Sequence, residues 1–239
     1  MKSPYGLPVV ESCFTCPLRK NEYSCNFSPA LSRAFDTASH PAAYPAGAIL
    51  AIEGQPASGV YIVCSGQVKL TSSSREGKSV ILRIARAGEF IGLSGAISTT
   101  PQSATAETLT PCLTRFVCKQ DFLRLMQQYP ELGIQAARSL STEYAAACQE
   151  IRALALAPSS AGRLASLLIS WCPQHSSRQT KAEVHIKSAF THEEIASMIG
   201  TTRETVTRVF SEFKRSGIVN VNGATVVVRD LKALEELAV

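Results

Sequence analysis

The stretch THEEIASMIGTTRETVTRVFSEFK, residues 191–214, constrains this chain more than any other. At helical period Ile195, Ala196 and Ile199 share one face, and Val206, Val209, Phe210 and Phe213 share another. Gly200 stands between the two runs, and glycine readily takes the left-handed conformation that ends a helix. Thr191 followed by Glu194 spells a capping box for the first helix. A threonine hydroxyl after Gly200 can cap the second, whose first turn holds Glu204, favoured there by the helix dipole. Two short helices about a glycine turn predict a helix-turn-helix. Arg203, Glu204, Thr207 and Arg208 fall off the buried face of the second helix. Arg can clamp the two major-groove acceptors of guanine, and Glu can accept from the cytosine amino group. Thr191 and Thr202, at the two helix starts, join them as DNA-facing candidates. The same pattern also suits a plain helical hairpin with a solvated charged face.

The next residues favour the helix-turn-helix. Residues 216–228, SGIVNVNGATVVV, read as strand, Asn-Gly turn and strand, a β-hairpin wing. The string TRETVTRVFSEFKRSGIVNVNGATVVV closely resembles the winged helix-turn-helix of the CRP/FNR transcription-regulator family. The resemblance implies double-stranded DNA with an inverted-repeat site as partner, a homodimer, and contact with RNA polymerase. Within the family, Arg-Glu-Thr-Val-x-Arg is the CRP-like reading pattern, associated with TGTGA half-sites. The FNR branch usually has an apolar residue in place of the first Arg and prefers TTGAT.

With 239 residues, 45% of them hydrophobic, the chain can bury a real core. The net charge of +5 is spread thinly, so placement rather than basicity carries the DNA-binding argument. No apolar run has the length of a membrane span, and the amino end lacks a signal peptide's hydrophobic stretch. A cytoplasmic protein is expected. In a reducing compartment its 8 cysteines read as metal ligands or redox groups rather than disulfides.

Cys13, Cys16 and Cys25 form C-x2-C-x8-C in a segment without helical or strand period, interrupted by Pro17 and bounded by Pro29. A segment this small needs a bound metal to order it. Zinc and an iron–sulfur cluster both accept thiolates, and the spacing does not separate them. A fourth ligand must come from elsewhere.

From about Pro29 to Phe116 short strands alternate with turns: 48–52, 59–64, 67–72, 79–85, 90–93 and 104–115. This spacing predicts a small antiparallel barrel or jelly roll. The run YPAGAILAIEGQPASGVYIVCSGQVKL resembles the opening of the family's cyclic-nucleotide-binding-type barrel. The cAMP-binding members carry a Glu after a Phe-Gly pair and an Arg-Ser/Thr pair on the phosphate. Here no such Glu follows Phe90-Ile91-Gly92, and Gln102-Ser103 stands where Arg-Ser would be. Without that Arg the desolvation of a cyclic phosphate goes uncompensated, so cyclic-nucleotide binding is not expected. The FNR branch instead holds an oxygen-labile [4Fe–4S] cluster on three amino-terminal cysteines and one from the barrel. Glu107-Thr108-Leu109-Thr110-Pro111-Cys112 puts Cys112 in that place, so the resemblance implies a cluster on Cys13, Cys16, Cys25 and Cys112, although the x8 interval is longer than in the enterobacterial type. Cys64 and Cys118 are the rival fourth ligands, and zinc or free thiols are the alternatives to a cluster.

Residues 121–129 read as a short helix and 132–156 as a long one, with Leu140, Tyr144, Ala147, Ile151 and Leu154 recurring every three or four positions. In the family that helix forms the dimer. A hinge at 156–160, a helix over 161–171, a loop over 173–181 and a closing helix over 232–238 complete the chain. No catalytic grouping appears, so an enzyme is not expected. The reading is an α+β chain: a cysteine-rich sensor segment (1–29), a cyclic-nucleotide-binding-type jelly-roll barrel (30–130), a dimerisation helix (131–157) and a winged helix-turn-helix (158–239).

Overall fold

A computed structural model describes residues 4–7, 12–16, 25–74, 76, 79–156, 159–172, 183–187, 190–222 and 225–238. The expected 173–181 loop, the Asn-Gly turn at Gly223, the hinge residues 157–158 and the Leu154 side chain lie outside them. The chain divides into two compact units, Met1–Ala145 and Ala146–Val239.

The first unit opens with helix α1 (Pro29–Ala38), which sequence reasoning did not separate from the strands. Its local signals are clear in the structure. The Ser28 hydroxyl accepts from Leu31 N–H, Pro29 occupies the first turn, and Leu31 and Phe35 are buried one turn apart. Eight strands come after it: β1 (Ser39–Tyr44), β2 (Ile49–Ala51), β3 (Gly59–Ser65), β4 (Gln67–Ser73), β5 (Ser79–Arg86), β6 (Phe90–Ile91), β7 (Thr105–Thr108) and β8 (Cys112–Cys118), with the short helix α2 (Leu93–Ser98) after β6. The expected strand over 104–115 is thus two strands, divided around Pro111, which cannot donate to a ladder. Two four-stranded antiparallel sheets, β1-β8-β3-β6 and β2-β7-β4-β5, form the jelly roll. Between them Leu50, Val63, Val68, Ala85, Ile91, Ala106 and Cys112 make an inter-sheet core.

A second core covers the outer face of the first sheet. Val60, Ile62 and Val117 from β3 and β8 meet Phe27, Leu31 and Phe35, together with Phe122 and Leu125 of α3 (Lys119–Gln128) and Leu132 and Ala136 of α4 (Pro130–Leu156). Along α4, Leu140 packs on this core, while Tyr144 and Ile151 are exposed.

The second unit contains α5 (Ser160–Trp171), β9 (Val184–Lys187), α6 (His192–Ile199), α7 (Arg203–Arg215), β10 (Val219–Asn222), β11 (Thr225–Val228) and α8 (Leu231–Leu237). The wing is a three-stranded sheet, β10-β11-β9, rather than the expected two-stranded hairpin, because Val184–Lys187 pairs antiparallel with β11. Leu164 and Leu168 of α5, Leu234 of α8 and the apolar faces of α6 and α7 form one core. Among the described residues no helix is long and apolar enough to cross a membrane.

Strands β3 and β8 approach so closely at Gly59 that an added β-carbon would lie 2.2 Å from Val117 O and 2.7 Å from the Phe116 ring. Gly59→Ala is expected to cost about 1–3 kcal/mol by overpacking. Gly133→Ala, where the nearest atom is Met126 Cε at 3.9 Å, is expected to gain about 0.5–1 kcal/mol of helix stability. Urea denaturation of the two variants checks this pair; an unchanged Gly59→Ala midpoint would contradict the close approach.

Candidate functional site

In the helix-turn-helix each terminus is built by local chemistry. Thr191 Oγ1 accepts from Glu194 N–H at 3.2 Å while the Glu194 carboxylate accepts from Thr191 N–H at 2.8 Å, a complete capping box. Gly200, at φ 62°, ends α6 in the left-handed conformation. The Thr202 hydroxyl then accepts from Thr205 N–H and starts α7. Val206, Val209, Phe210 and Phe213 are buried, so Arg203, Glu204, Thr207 and Arg208 all face outward. Hydrogen bonds from its own backbone and from Thr202 hold the Glu204 carboxyl below the usual carboxylate range, so it stands ready as an acceptor. Arg208 pairs with Glu212 at 2.9 Å, one turn along the same helix.

His192, in the first turn of α6, links the two helices. Its ring stacks on Phe210 with centroids 5.2 Å apart, and Nδ1 lies 2.8 Å from Thr207 Oγ1. The Thr207 hydroxyl also reaches Arg203 O at 3.0 Å, and the Nδ1–H tautomer of His192 lets both bonds form at once. Thr207 is therefore exposed, but its hydroxyl is committed within the motif, and so are those of the caps Thr191 and Thr202.

The cysteines beside the jelly roll do not share one environment. Cys13 and Cys25 pack against the outer core of the first sheet. Asp36 of α1 holds their segment: its carboxylate accepts from Cys13 N–H at 2.7 Å and from the Ser12 hydroxyl. Burial pushes the Asp36 carboxyl up, but the Cys13 N–H, the Ser12 hydroxyl and Arg115 together outweigh it and leave it below its ordinary value. Arg115 of β8, 3% exposed, lies 3.1 Å from Asp36 and donates to Ser39 Oγ at 2.9 Å. Cys64 stands where the β3–β8 register shifts, between Val63 and Ser65, and it lies within electrostatic reach of Cys13, Cys16, Cys25 and Arg115. Burial pushes the Cys64 thiol up to about 12, opposed by Arg115, and the Cys25 thiol up to about 11. Cys13 is raised as well, chiefly by burial.

Cys112, the fourth ligand expected from the resemblance, does not join this group. It points into the inter-sheet core, with its sulfur 3.3 Å from Gln67 O and 3.2 Å from Thr110 O. A β-carbon at Gly66 would meet that sulfur at 2.5 Å, so the thiol is sealed in. The physical reason is strand parity: Arg115 and Val117 face the helices, and Cys112, an odd number of positions away, faces the opposite sheet. Cys118 stands just before α3, its thiol 3.0 Å from the Asp121 carboxylate. Among the described residues no three His, Cys, Asp or Glu side chains are arranged to hold a single metal ion. The four thiols of Cys13, Cys16, Cys25 and Cys64 are neighbours that do not converge on one point. As a donor set they suit a thiophilic group, zinc or iron–sulfur, since soft thiolate ligands select such groups.

The jelly roll also contains a pocket lined in part by Leu70, Arg83, Ser94, Gln102, Ser103 and Glu143. Arg83 was not foreseen there. Its guanidinium already pairs with Glu89 at 3.0 Å and Glu143 at 2.8 Å and donates to Phe90 O. Two carboxylates thus balance the cation that an anionic effector would need.

This organisation is shared with known proteins. The cyclic nucleotide-binding domain matches residues 41–129 and the Crp-like helix-turn-helix domain residues 162–237, the first match beginning after the cysteine segment. The chain is 30% identical over 195 residues to the cAMP-activated global transcriptional regulator CRP of Haemophilus influenzae, covering 81% of this chain and 86% of that one. Among solved structures it is similar to TTHA1359, a transcriptional regulator of the CRP/FNR family from Thermus thermophilus, with TM-score 0.65, 28% identity and coverage of 83% and 98%. FixK2 from Bradyrhizobium japonicum shares the fold, with TM-score 0.71 at 21% identity over 84% of this chain and 98% of that one. With a winged helix-turn-helix presenting Arg203, Glu204 and Arg208 and a jelly roll ahead of it, the chain belongs to the CRP/FNR family of DNA-binding transcription regulators.

Proposed function

We propose that this regulator senses oxygen or redox state through a [4Fe–4S] cluster held by Cys13, Cys16, Cys25 and Cys64, and acts as a homodimer on an inverted-repeat site. The observation that carries the reading is the nearness of these four thiols to one another, with Cys13 and Cys25 packed against the core from which α4 begins. When bound, the cluster would supply an oxygen-labile charged centre that the cysteine thiolates must enclose.

The chain's own residues give that centre a route to the DNA-binding half. Asp36 fixes the Cys13 backbone to α1. Ser28, at the start of α1, hydrogen-bonds Glu131 in the first turn of α4. Phe27, Leu31 and Phe35 share one core with Leu132 and Ala136 of α4. A change in how the cysteine segment sits therefore bears on the packing of α4. The exposed Tyr144 and Ile151 of α4 support a helix that pairs with its copy in a second chain. Dimer packing in turn sets the spacing of the two reading helices on consecutive major grooves. The sensing state is thus read as a population of dimer geometries.

Two measurements test this. Iron and sulfide analysis after anaerobic reconstitution should show that Cys13→Ser, Cys16→Ser, Cys25→Ser and Cys64→Ser each lose the cluster, while Cys112→Ser and Cys148→Ser keep it. Full loading of Cys64→Ser with loss in Cys112→Ser would return the fourth position to Cys112. Wild-type behaviour in all of them would leave a regulator gated by a small effector. For the reading head, selection from random DNA is expected to return TGTGA-like half-sites. Arg203→Ala should cost roughly 1–3 kcal/mol per half-site and relax the choice at one guanine. An equal loss on every sequence would make Arg203 a phosphate contact instead.

A further inference from the structure

Arg115 is an unexpected residue for the middle of a strand in a packed core. A buried ion pair costs desolvation that a well-packed apolar side chain avoids, so its presence asks for a reason beyond stability. Its surroundings supply one. On the helix side of β8 the guanidinium meets Asp36 at 3.1 Å and Ser39 at 2.9 Å, and beyond them the thiols of Cys13 and Cys64. Asp36 in turn takes the backbone N–H of Cys13 at 2.7 Å and the Ser12 hydroxyl. One helical turn back on α1, the Arg33 guanidinium lies over the Phe14 ring, 5.7 Å from its centroid. Helix α1 therefore grips the cysteine segment on both sides of Cys13.

We infer that Asp36 and Arg115 are the positioning pair of the thiol site: Asp36 docks the cysteine segment on the jelly roll, and Arg115 supplies the fixed positive charge that a buried thiolate-held group requires. The second half rests on the reading of Cys13, Cys16, Cys25 and Cys64 as ligands; the first half stands on the hydrogen bonds alone. Four thiolates around an iron–sulfur core leave a net negative charge, and a cation held beside it in a low-dielectric site favours the more reduced, more negative state. Arg115 is anchored by Asp36 and Ser39 before any group binds, and at Cys13 its charge outweighs the opposing carboxylate of Asp36.

The experiment uses the full-length chain in two arms. In the cluster-free protein, hydrogen exchange at the Cys13 amide should be at least tenfold faster in Asp36→Ala than in wild type, with the Leu31 amide, capped by Ser28, unchanged. In the anaerobically loaded protein, Arg115→Met should lower the midpoint potential, raising the oxidised-to-reduced ratio at fixed ambient potential at least tenfold, which is about 59 mV for a one-electron couple. Arg115→Lys, which keeps the charge, should stay close to wild type. A purely structural role predicts that Lys and Met act alike, and that result overturns the charge assignment. Wild-type exchange at Cys13 in Asp36→Ala overturns the docking assignment. Should Arg115→Met fail to fold, Asp36→Asn/Arg115→Met compared with Asp36→Asn makes the same test with both charges of the pair removed. A wild-type chain that takes up neither iron nor sulfide would overturn the cluster reading and the role of Arg115 with it, while the exchange arm would still decide Asp36.

Discussion

The alternation of side chains along β8 is the constraint on which the amino-terminal unit depends. Cys112 of that strand enters the inter-sheet core, and Val117, five positions on, enters the core shared with α1, α3 and α4. Cys112 falls on the first face and Arg115 on the second. A slip of one residue would exchange them, placing a guanidinium among Val63, Val68 and Ile91 with no acceptor, a cost no packing could offset. The register Ile62↔Arg115 and Pro41↔Arg115 is therefore firmly specified, and with it the identity of the thiol that faces the cysteine segment.

This arrangement makes the helix-side core a meeting place. The cysteine segment, α1 and the start of α4 all bury side chains in it. Polar links reinforce the apolar ones: Asp36 to Cys13, Arg115 to Asp36, and Ser28 to Glu131. A closely packed core has few alternative arrangements, so a displaced segment is answered by a shift of whole elements rather than by gradual deformation. In the proposed mechanism that property turns a change at the thiols into a change in how α4 pairs.

The parts legible in the sequence are those whose causes are local. The helix-turn-helix arises from a capping box, one glycine and two apolar stripes, all within 191–214, and the structure forms each of them. The short strands of the jelly roll announce themselves by β-branched residues and turn signals. What was not legible depends on pairing across the chain. Helix α1 carries a good cap, but its apolar face acquires meaning only against β3 and β8. Val184–Lys187 is too short to stand out as a strand, and its pairing with β11 is what makes it one. The fourth thiol was assigned to Cys112 by counting along a motif, which gives position but not the face of the strand. Cys64 sits in an apolar run and stood only as a rival ligand; nothing local shows that its strand receives an amino-terminal segment. Asp36 and Arg115, far apart in sequence, carry no motif at all.

The most direct test of the account is one sample examined twice. Protein purified without oxygen is measured for its visible absorption and its affinity for a TGTGA-type inverted repeat, then again after brief exposure to air. The account predicts a broad brown absorption that bleaches in air, with a matching change in DNA affinity. A colourless protein containing zinc, binding the same DNA equally well before and after exposure, would contradict it.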